Sequence, residues 1–179
     1  MMAGNDRVLQ RVIEELPTGF EALRAEARAE GYLFVERLAA DWVSAAMRFD
    51  RAGEALLAMR LNGVLAGVGG LTIEPVVPDA LRMRRFYVRP PYRRSGIGRE
   101  LAAVLLERAA SSTGLVTVNA SPVSAAFWES LGFRRTLATD IHIPDISTRG
   151  SCRNEVADGP DRRRPGSFGA SRRARLVKG

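Results

Sequence analysis

Apolar residues recur along this chain with two different periods. Spacings of three and four residues predict helices, whereas alternation and short apolar runs predict strands. Asn62-Gly63 joins two of the predicted strands as a hairpin, because this pair adopts the backbone angles that a tight turn needs. The predicted elements, in chain order, are a strand over 8–16, helices over 20–30 and 32–47, strands over 54–61, 64–73 and 81–88, a helix over 96–110, a strand over 115–118, a helix over 124–131 and a strand over 133–143.

The order of these elements predicts the fold class. Three consecutive strands are joined by short connections, and helices precede and follow them, which indicates one α/β domain. We expect a single mixed, mostly antiparallel sheet flanked by helices. The 179 residues are 46% hydrophobic, which is enough for one domain core. No apolar run reaches the ~18 residues that a membrane span requires.

The pattern ends after residue 146. Residues 147–179 are mainly Arg, Gly, Ser, Pro and Asp and carry 9 Lys/Arg against 3 Asp/Glu, whereas residues 1–146 carry 18 against 17. The net charge of +7 therefore belongs mostly to the C-terminal segment. Such a composition buries too little apolar surface to offset chain entropy. We predict a folded domain over 1–146 and a disordered basic tail over 147–179.

The remaining composition restricts the function classes. A basic tail can bind nucleic acid loosely, but Phe168 is its only aromatic residue, so base stacking is not expected. A nucleic-acid function is therefore disfavoured against a tail that is inert or spurious. His142 and Cys152 are the only residues of their types, and we predict no metal site. The start of the chain lacks the apolar run of a signal peptide, and the single cysteine fits a reducing cytoplasm.

One segment joins a strand end, a basic loop and two glycines that open a helix. It contains Arg93-Arg94-Ser95-Gly96-Ile97-Gly98-Arg99. The first turn of a helix has unpaired N–H groups and a partial positive charge, which bind pyrophosphate when the backbone is accessible. The two glycines remove Cβ atoms that would block this approach, and the arginines add donors. The segment lacks the lysine of a P-loop and the third glycine of a dinucleotide fingerprint.

A second segment, Phe127 to Phe133, places a short helix before Gly132 and an aromatic residue at the next strand. With the strand end Phe86-Tyr87-Val88 and the Arg-x-x-Gly-x-Gly pattern of 93–98, it makes the chain resemble the GNAT acetyltransferase superfamily. The resemblance follows the element order over 8–143 and is specific in its motifs over 81–133. It implies an acyl-CoA N-acyltransferase fold.

The resemblance also implies a co-substrate and an acceptor. Acetyl-CoA would lie between two splayed strands, those that contain Val88 and Val118, with its pyrophosphate on residues 93–99. The acceptor would be an amine of a small molecule or a peptide. The residues that would bind acetyl-CoA are Phe86, Tyr87, Val88, Arg93, Arg94, Ser95, Gly96, Ile97, Gly98, Arg99, Ser121 and Trp128.

The chain departs from the family at the positions of its catalytic groups. Ser121 and Trp128 stand where many relatives have Asn and Tyr, and tryptophan cannot transfer a proton at neutral pH. The strand over 81–88 lacks the usual carboxylate base. Glu74, Ser121 and Arg84 are therefore weak candidates for catalysis, and a water chain is an equal alternative for the base. An acyl-CoA-binding domain without catalysis is the second interpretation.

Alternation along 81–88 predicts that Arg82, Arg84 and Phe86 share one face of the strand, with Met83 and Arg85 on the other. Arg82 or Arg84 would then bind the carboxylate of an acid-bearing amine, such as an amino acid. Alternatively, these arginines pair with acids such as Glu74. A homodimer through an edge strand is compatible with this layout, although nothing in the sequence requires one.

Overall fold

Seven strands and four α-helices form the part of the chain that the computed structural model describes, residues 6–136 and 174–178. The elements are β1 (Arg7–Val12), α1 (Phe20–Ala29), α2 (Leu33–Val43), β2 (Ala55–Leu61), β3 (Val64–Ile73), β4 (Ala80–Val88), a 3-10 turn (Pro90–Tyr92), α3 (Ile97–Ala110), β5 (Leu115–Ala120), α4 (Pro122–Ser130), β6 (Arg134–Thr136) and β7 (Ala174–Lys178). None of these helices is long and apolar enough to cross a membrane.

The strands form one sheet in the order β1-β2-β3-β4-β5-β7-β6. Among the strands of residues 6–136 and 174–178, only β4 and β5 pair in parallel, because α3 carries the chain back across the sheet between them. The other neighbouring pairs are antiparallel. The predicted mixed, mostly antiparallel sheet flanked by helices is therefore confirmed.

Helices cover both faces of the sheet, and each face has its own core. On one face, Leu23 of α1 and Leu38 of α2 are fully buried against strand residues such as Leu56. On the other, Leu101 and Leu105 of α3 are fully buried in a second cluster, which also contains side chains of β3, β4 and β5. Burial of one leucine contributes about 1.5–3 kcal/mol, so the two cores stabilise the sheet that positions the site.

β1 ends at Val12, four residues before the end of the predicted strand at 16. Val12 pairs with Leu56, and the partner strand β2 begins one residue earlier, at Ala55. A strand extends only as far as a neighbour can accept and donate its hydrogen bonds. The observed end is thus set by the length of β2, which the local pattern of residues 8–16 cannot reveal.

β7 corrects the prediction of a wholly disordered tail. Ala174–Lys178 lie inside the sheet, antiparallel to both β5 and β6, and Leu176 is fully buried. Both edges of β7 find strand partners, so five residues with one buried leucine suffice despite the Arg-rich composition. Residues 137–173, which include the predicted domain boundary, His142, Cys152 and the end of the last predicted strand, lie outside the described residues.

Candidate active site

β4 and β5 pair over only part of their lengths, which leaves a gap between them. Their ladder runs from Ala80 opposite Leu115 to Met83 opposite Val118 and stops there. β4 nevertheless continues along β3 to Val88. The β5-side edge of residues 84–88 therefore has no strand partner among the described residues. The predicted splay between these two strands is present, and it opens toward their C-terminal ends.

A bulge at Arg85 lies beside this gap. Arg85 and Phe86 together oppose the single residue Gly69 of β3, and the φ angle of Arg85 is +53°. The extra residue reverses the alternation of side chains beyond it. A Cβ atom at Gly69 would lie 2.7 Å from the Phe86 ring, so only glycine leaves room for that ring.

The bulge corrects the prediction that Arg82, Arg84 and Phe86 share a face. The Phe86 ring lies on the side of α3 and α4, with its centroid 4.9 Å from that of Trp128. Arg85 instead reaches α2, on the opposite side of the sheet. Arg82 and Arg84 point to that same side, because Met83 between them packs into the core under α3.

The loop before α3 presents a run of N–H groups without acceptors. Among the described residues, no oxygen accepts a hydrogen bond from the backbone N–H of residues 94–99, and the first to donate is that of Glu100, to Gly96 at 3.0 Å. The φ angles of Arg94 and Gly96 are +62° and +88°. Such loop geometry can form an anion-binding concavity, and the N-terminus of the 14-residue α3 adds its partial positive charge. The loop therefore has the geometry of an anion-binding concavity, and its binding of a pyrophosphate stays a prediction.

Gly96 and Gly98 are glycines for different reasons. The backbone at Gly96 is in the left-handed region that favours glycine. Gly98 has an ordinary helical backbone, and a Cβ there would meet Phe127 at 3.5 Å and Val88 at 3.6 Å, which are normal contacts. The fold therefore does not require glycine at this position, and the missing side chain leaves the helix N-terminus open.

Glu26 of α1 and Glu30, the C-cap residue of that helix, brace the segment that leads into this loop. Glu26 accepts two hydrogen bonds from Arg89, at 2.9 and 2.6 Å, and Glu30 accepts two from Arg93, at 2.7 and 2.6 Å. The hydrogen bonds from Arg93 lower the pKa of Glu30 despite its partial burial. Arg93, predicted to bind the cofactor, is therefore occupied as a brace. The sequence analysis did not predict these two ion pairs. The signal was the equal spacing: Glu26 and Glu30 are four residues apart, and so are Arg89 and Arg93.

The cofactor candidate Tyr87 belongs to the same brace. Its hydroxyl donates to Glu30 at 2.6 Å, and its ring is buried on the α1–α2 face. Burial, followed by the hydrogen bond to Glu30, raises the pKa of Tyr87 above its usual value. Only the backbone of Tyr87 therefore lies at the gap.

Three further arginines lie in the loop or beside it. Arg94 and Arg99 are exposed, and Arg99 donates to the Ser130 hydroxyl at 3.2 Å. The Arg94 side chain has no hydrogen bond with any residue in the described ranges. Arg7 of β1, which sequence reasoning did not single out, donates to the Ser95 carbonyl at 2.6 Å and thereby fixes the loop. Arg94 and Arg99 are thus the side chains best placed to meet a phosphate.

Ser121 and Trp128 have structural partners near the mouth of the gap. Ser121 caps α4: its hydroxyl accepts from the Ser124 N–H at 3.3 Å, and the Ser124 hydroxyl accepts from the Ser121 N–H at 3.1 Å. Trp128 is buried against the rings of Phe86 and Phe133. The position that holds tyrosine in many relatives is here filled by a packed indole.

The Glu74 side chain is buried, and its carboxylate accepts hydrogen bonds from three residues. Its carboxylate accepts two hydrogen bonds from Arg82, at 2.6 and 2.5 Å, one from the Thr117 hydroxyl and one from the Val76 N–H at 3.1 Å. Burial opposes ionisation of Glu74, but these hydrogen bonds outweigh it and lower the pKa of the carboxyl. This carboxylate anchors Arg82, and its four hydrogen bonds make it less basic than a free carboxylate.

The sequence matches the family model described as "Acetyltransferase (GNAT) domain" over residues 23–141. No curated protein matches the sequence. The fold is similar to that of a proposed acetyltransferase from Exiguobacterium sp. 255-15, which is 24% identical with a TM-score of 0.68 over 75% of this chain and 89% of that one. It is also similar to an acetyltransferase from Streptococcus agalactiae, 15% identical with a TM-score of 0.65 over 96% and 97% of the two chains.

A GNAT family N-acetyltransferase from Escherichia coli, solved in complex with CoA, is 15% identical with a TM-score of 0.55 over 75% of this chain and 72% of that one. At such identities these likenesses concern the fold alone. The family model, by contrast, covers more than half of the chain and spans both the gap and the loop before α3. The chain therefore belongs to the GNAT family of acyl-CoA-dependent acetyltransferases.

Proposed function

We propose that this protein transfers an acetyl group from acetyl-CoA to a primary amine. The observation that carries the proposal is the pairing of an unpartnered strand edge over 84–88 with acceptor-free N–H groups over 94–99. The edge would hold the extended pantetheine arm, and the loop would hold the pyrophosphate. Phe86 and Trp128 would line the arm, whereas Tyr87 would contribute only its backbone.

The chemistry requires positioning more than a strong acid or base. The amine lone pair attacks the acyl carbon, the C–S bond breaks, the thiolate leaves with its electron pair, and the amine gives its proton to water. In this proposal, a backbone N–H at the Arg85 bulge would stabilise the developing oxyanion. The thiolate can leave unassisted because thiols have a pKa of about 8.5.

The acceptor would be an amine of a small molecule or a peptide, and the cytoplasm is the compartment that we propose. A mixture of acetyl-CoA with primary amines tests the transfer. We expect free thiol to appear in step with an acetylated amine, followed by thiol titration and by mass spectrometry. Thiol release without any acetylated amine would indicate hydrolysis and contradict the proposal.

A non-catalytic acyl-CoA-binding domain is the second candidate. It is favoured by two observations: Arg82 engages the Glu74 carboxylate, and Trp128 occupies the place that the resemblance assigns to the usual acid. The two candidates bind acetyl-CoA equally well, so binding does not separate them. Saturable acetyl-CoA binding with no thiol release over the whole amine panel would favour this second function.

A further inference from the structure

Two neighbouring arginines on the α1–α2 side of the sheet have side-chain N–H groups without an acceptor among the described residues. The Arg84 side chain is half-buried and makes no hydrogen bond or ion pair with residues 6–136 and 174–178, although the Arg84 backbone pairs with Gly70. Arg85 donates through Nη2 to Asp41 at 2.6 Å, but its Nε–H is buried without an acceptor. An unpaired buried donor is costly, so the Arg85 Nε–H, next in sequence to the unpaired and partly exposed Arg84 guanidinium, points to an anion that both could bind.

The neighbouring charges do not supply that anion. The carboxylate of Glu74 is engaged by Arg82, and Asp41 is engaged by Arg85. Among these five described residues there is one more positive charge than negative, and it is the Arg84 guanidinium that has no carboxylate partner. Burial, followed by the charges of Arg82 and Arg85, lowers the pKa of Arg84, which shows that its surroundings oppose the charge. Arginine nevertheless stays protonated at neutral pH, so a bound anion would relieve this cost.

The position of Arg84 relates this charge to the reaction. Met83 is the last residue of β4 paired with β5, so Arg84 stands at the closed end of the gap, next to the bulge at Arg85. An acyl group carried down the gap would end beside it. The planar guanidinium matches a carboxylate, to which it can donate two parallel hydrogen bonds.

We propose that Arg84 binds a carboxylate of the acceptor, so that the substrate class is an amine that also carries an acid, such as an amino acid. This inference rests on the proposed acetyl transfer. The carboxylate would sit on Arg84 with the Arg85 Nε–H close by, and the amine would face the acyl carbon. Arg82 takes no part, because Glu74 holds it.

The test compares L-amino acids with their α-amides as acceptors, because each pair differs in one carboxylate. Thiol release from acetyl-CoA is measured for the wild type, Arg84→Gln, Arg84→Lys and the control Arg51→Gln, which changes an exposed arginine in the turn before β2. We expect Arg84→Gln to lower kcat/KM for the acids about tenfold or more, mainly through KM, and to leave the amides within about twofold. Arg84→Lys should recover part of the loss, and the control should show none.

Equal losses for acids and amides, or a wild-type preference for the amides, would overturn the assignment. Retained acetyl-CoA affinity of Arg84→Gln shows that the variant is folded. If no amine is acetylated, the proposed transfer fails and the carboxylate site is tested by itself. Calorimetric titration of the CoA complex with N-acetyl-L-glutamate should then show binding that Arg84→Gln loses, and no binding to the wild type would refute the site.

Discussion

The loop before α3 and the arginines of β4 both favour anions, but they do so with different atoms. Over residues 94–99 the donors are backbone N–H groups, whose directions are set by the loop and by the start of α3. Along β4 the donors are guanidinium groups, and two of the three are already paired with carboxylates. The proposed loop site would therefore be a property of the fold, whereas the proposed β4 site would depend on one side chain, Arg84.

Because the arginines of β4 depend on carboxylate partners, we expect the largest loss of stability when the partner of Arg82, Glu74, is removed. Glu74→Ala removes the partner of a buried arginine and leaves Arg82 uncompensated, which should cost about 3–5 kcal/mol of unfolding free energy. Urea unfolding measures the loss. Glu74→Leu with Arg82→Met in one variant removes both charges and should recover most of the stability. An equally unstable double variant would show that the charge pair is not the cause.

Low pH should destabilise the folded protein by protonating the carboxylates that are paired with arginines. The pKa values of Glu26, Glu30 and Glu74 are lowered in the folded chain from an ordinary value of 4.5. Their contribution to stability is therefore complete above that value and is lost as pH falls through the lowered folded values. We expect the unfolding free energy to drop below about pH 4.5, with a shallower slope in Glu74→Gln. Equal slopes would exclude Glu74 as a contributor.

Loss of the Glu30 brace should have a small effect on the unfolding free energy and a clearer effect on the affinity for acetyl-CoA. Glu30→Gln weakens the hold on Arg93 and Tyr87, which fix the chain before the loop. Because the pair is partly exposed, we expect a loss of only about 1 kcal/mol in unfolding free energy and a several-fold rise in the Kd of acetyl-CoA. Glu21→Gln, on the exposed side of α1, should change neither quantity.

The smallest effect should come from Arg94, whose side chain is exposed. Arg94→Ala removes one solvent-screened charge and leaves the N–H groups in place, so the Kd of acetyl-CoA should rise about threefold, and less at high salt. Calorimetry at two ionic strengths checks this. Complete loss of binding would break the comparison, because a side chain would then dominate the loop site.

Local signals account for what the sequence analysis predicted well. The hairpin at Asn62-Gly63, the glycines that open α3 and the apolar spacing of the helices each depend on residues close together in the chain. β3 spans Val64–Ile73, as predicted, and the loop over 93–99 has the expected geometry.

The features that the sequence did not predict depend on partners that are distant along the chain. β7 forms because β5 and β6 hydrogen-bond to both of its edges, which the composition of the tail cannot reveal. The bulge at Arg85 depends on the contact between Gly69 and Phe86, and it moves Phe86 to the other face. The roles of Glu30 and Glu74 likewise come from partners far along the chain.

The most direct test of the central claim is calorimetric titration of the full chain with acetyl-CoA, with Gly98→Glu beside the control Gly114→Glu. A Cβ at Gly114 meets no atom within 4 Å, and one at Gly98 makes only ordinary contacts, so both variants should fold. We predict saturable binding for the wild type and the control, and a loss of about a hundredfold or more in Gly98→Glu, where a carboxylate would occupy the helix N-terminus. Unchanged affinity in a folded Gly98→Glu variant would contradict the placement of the pyrophosphate on this loop.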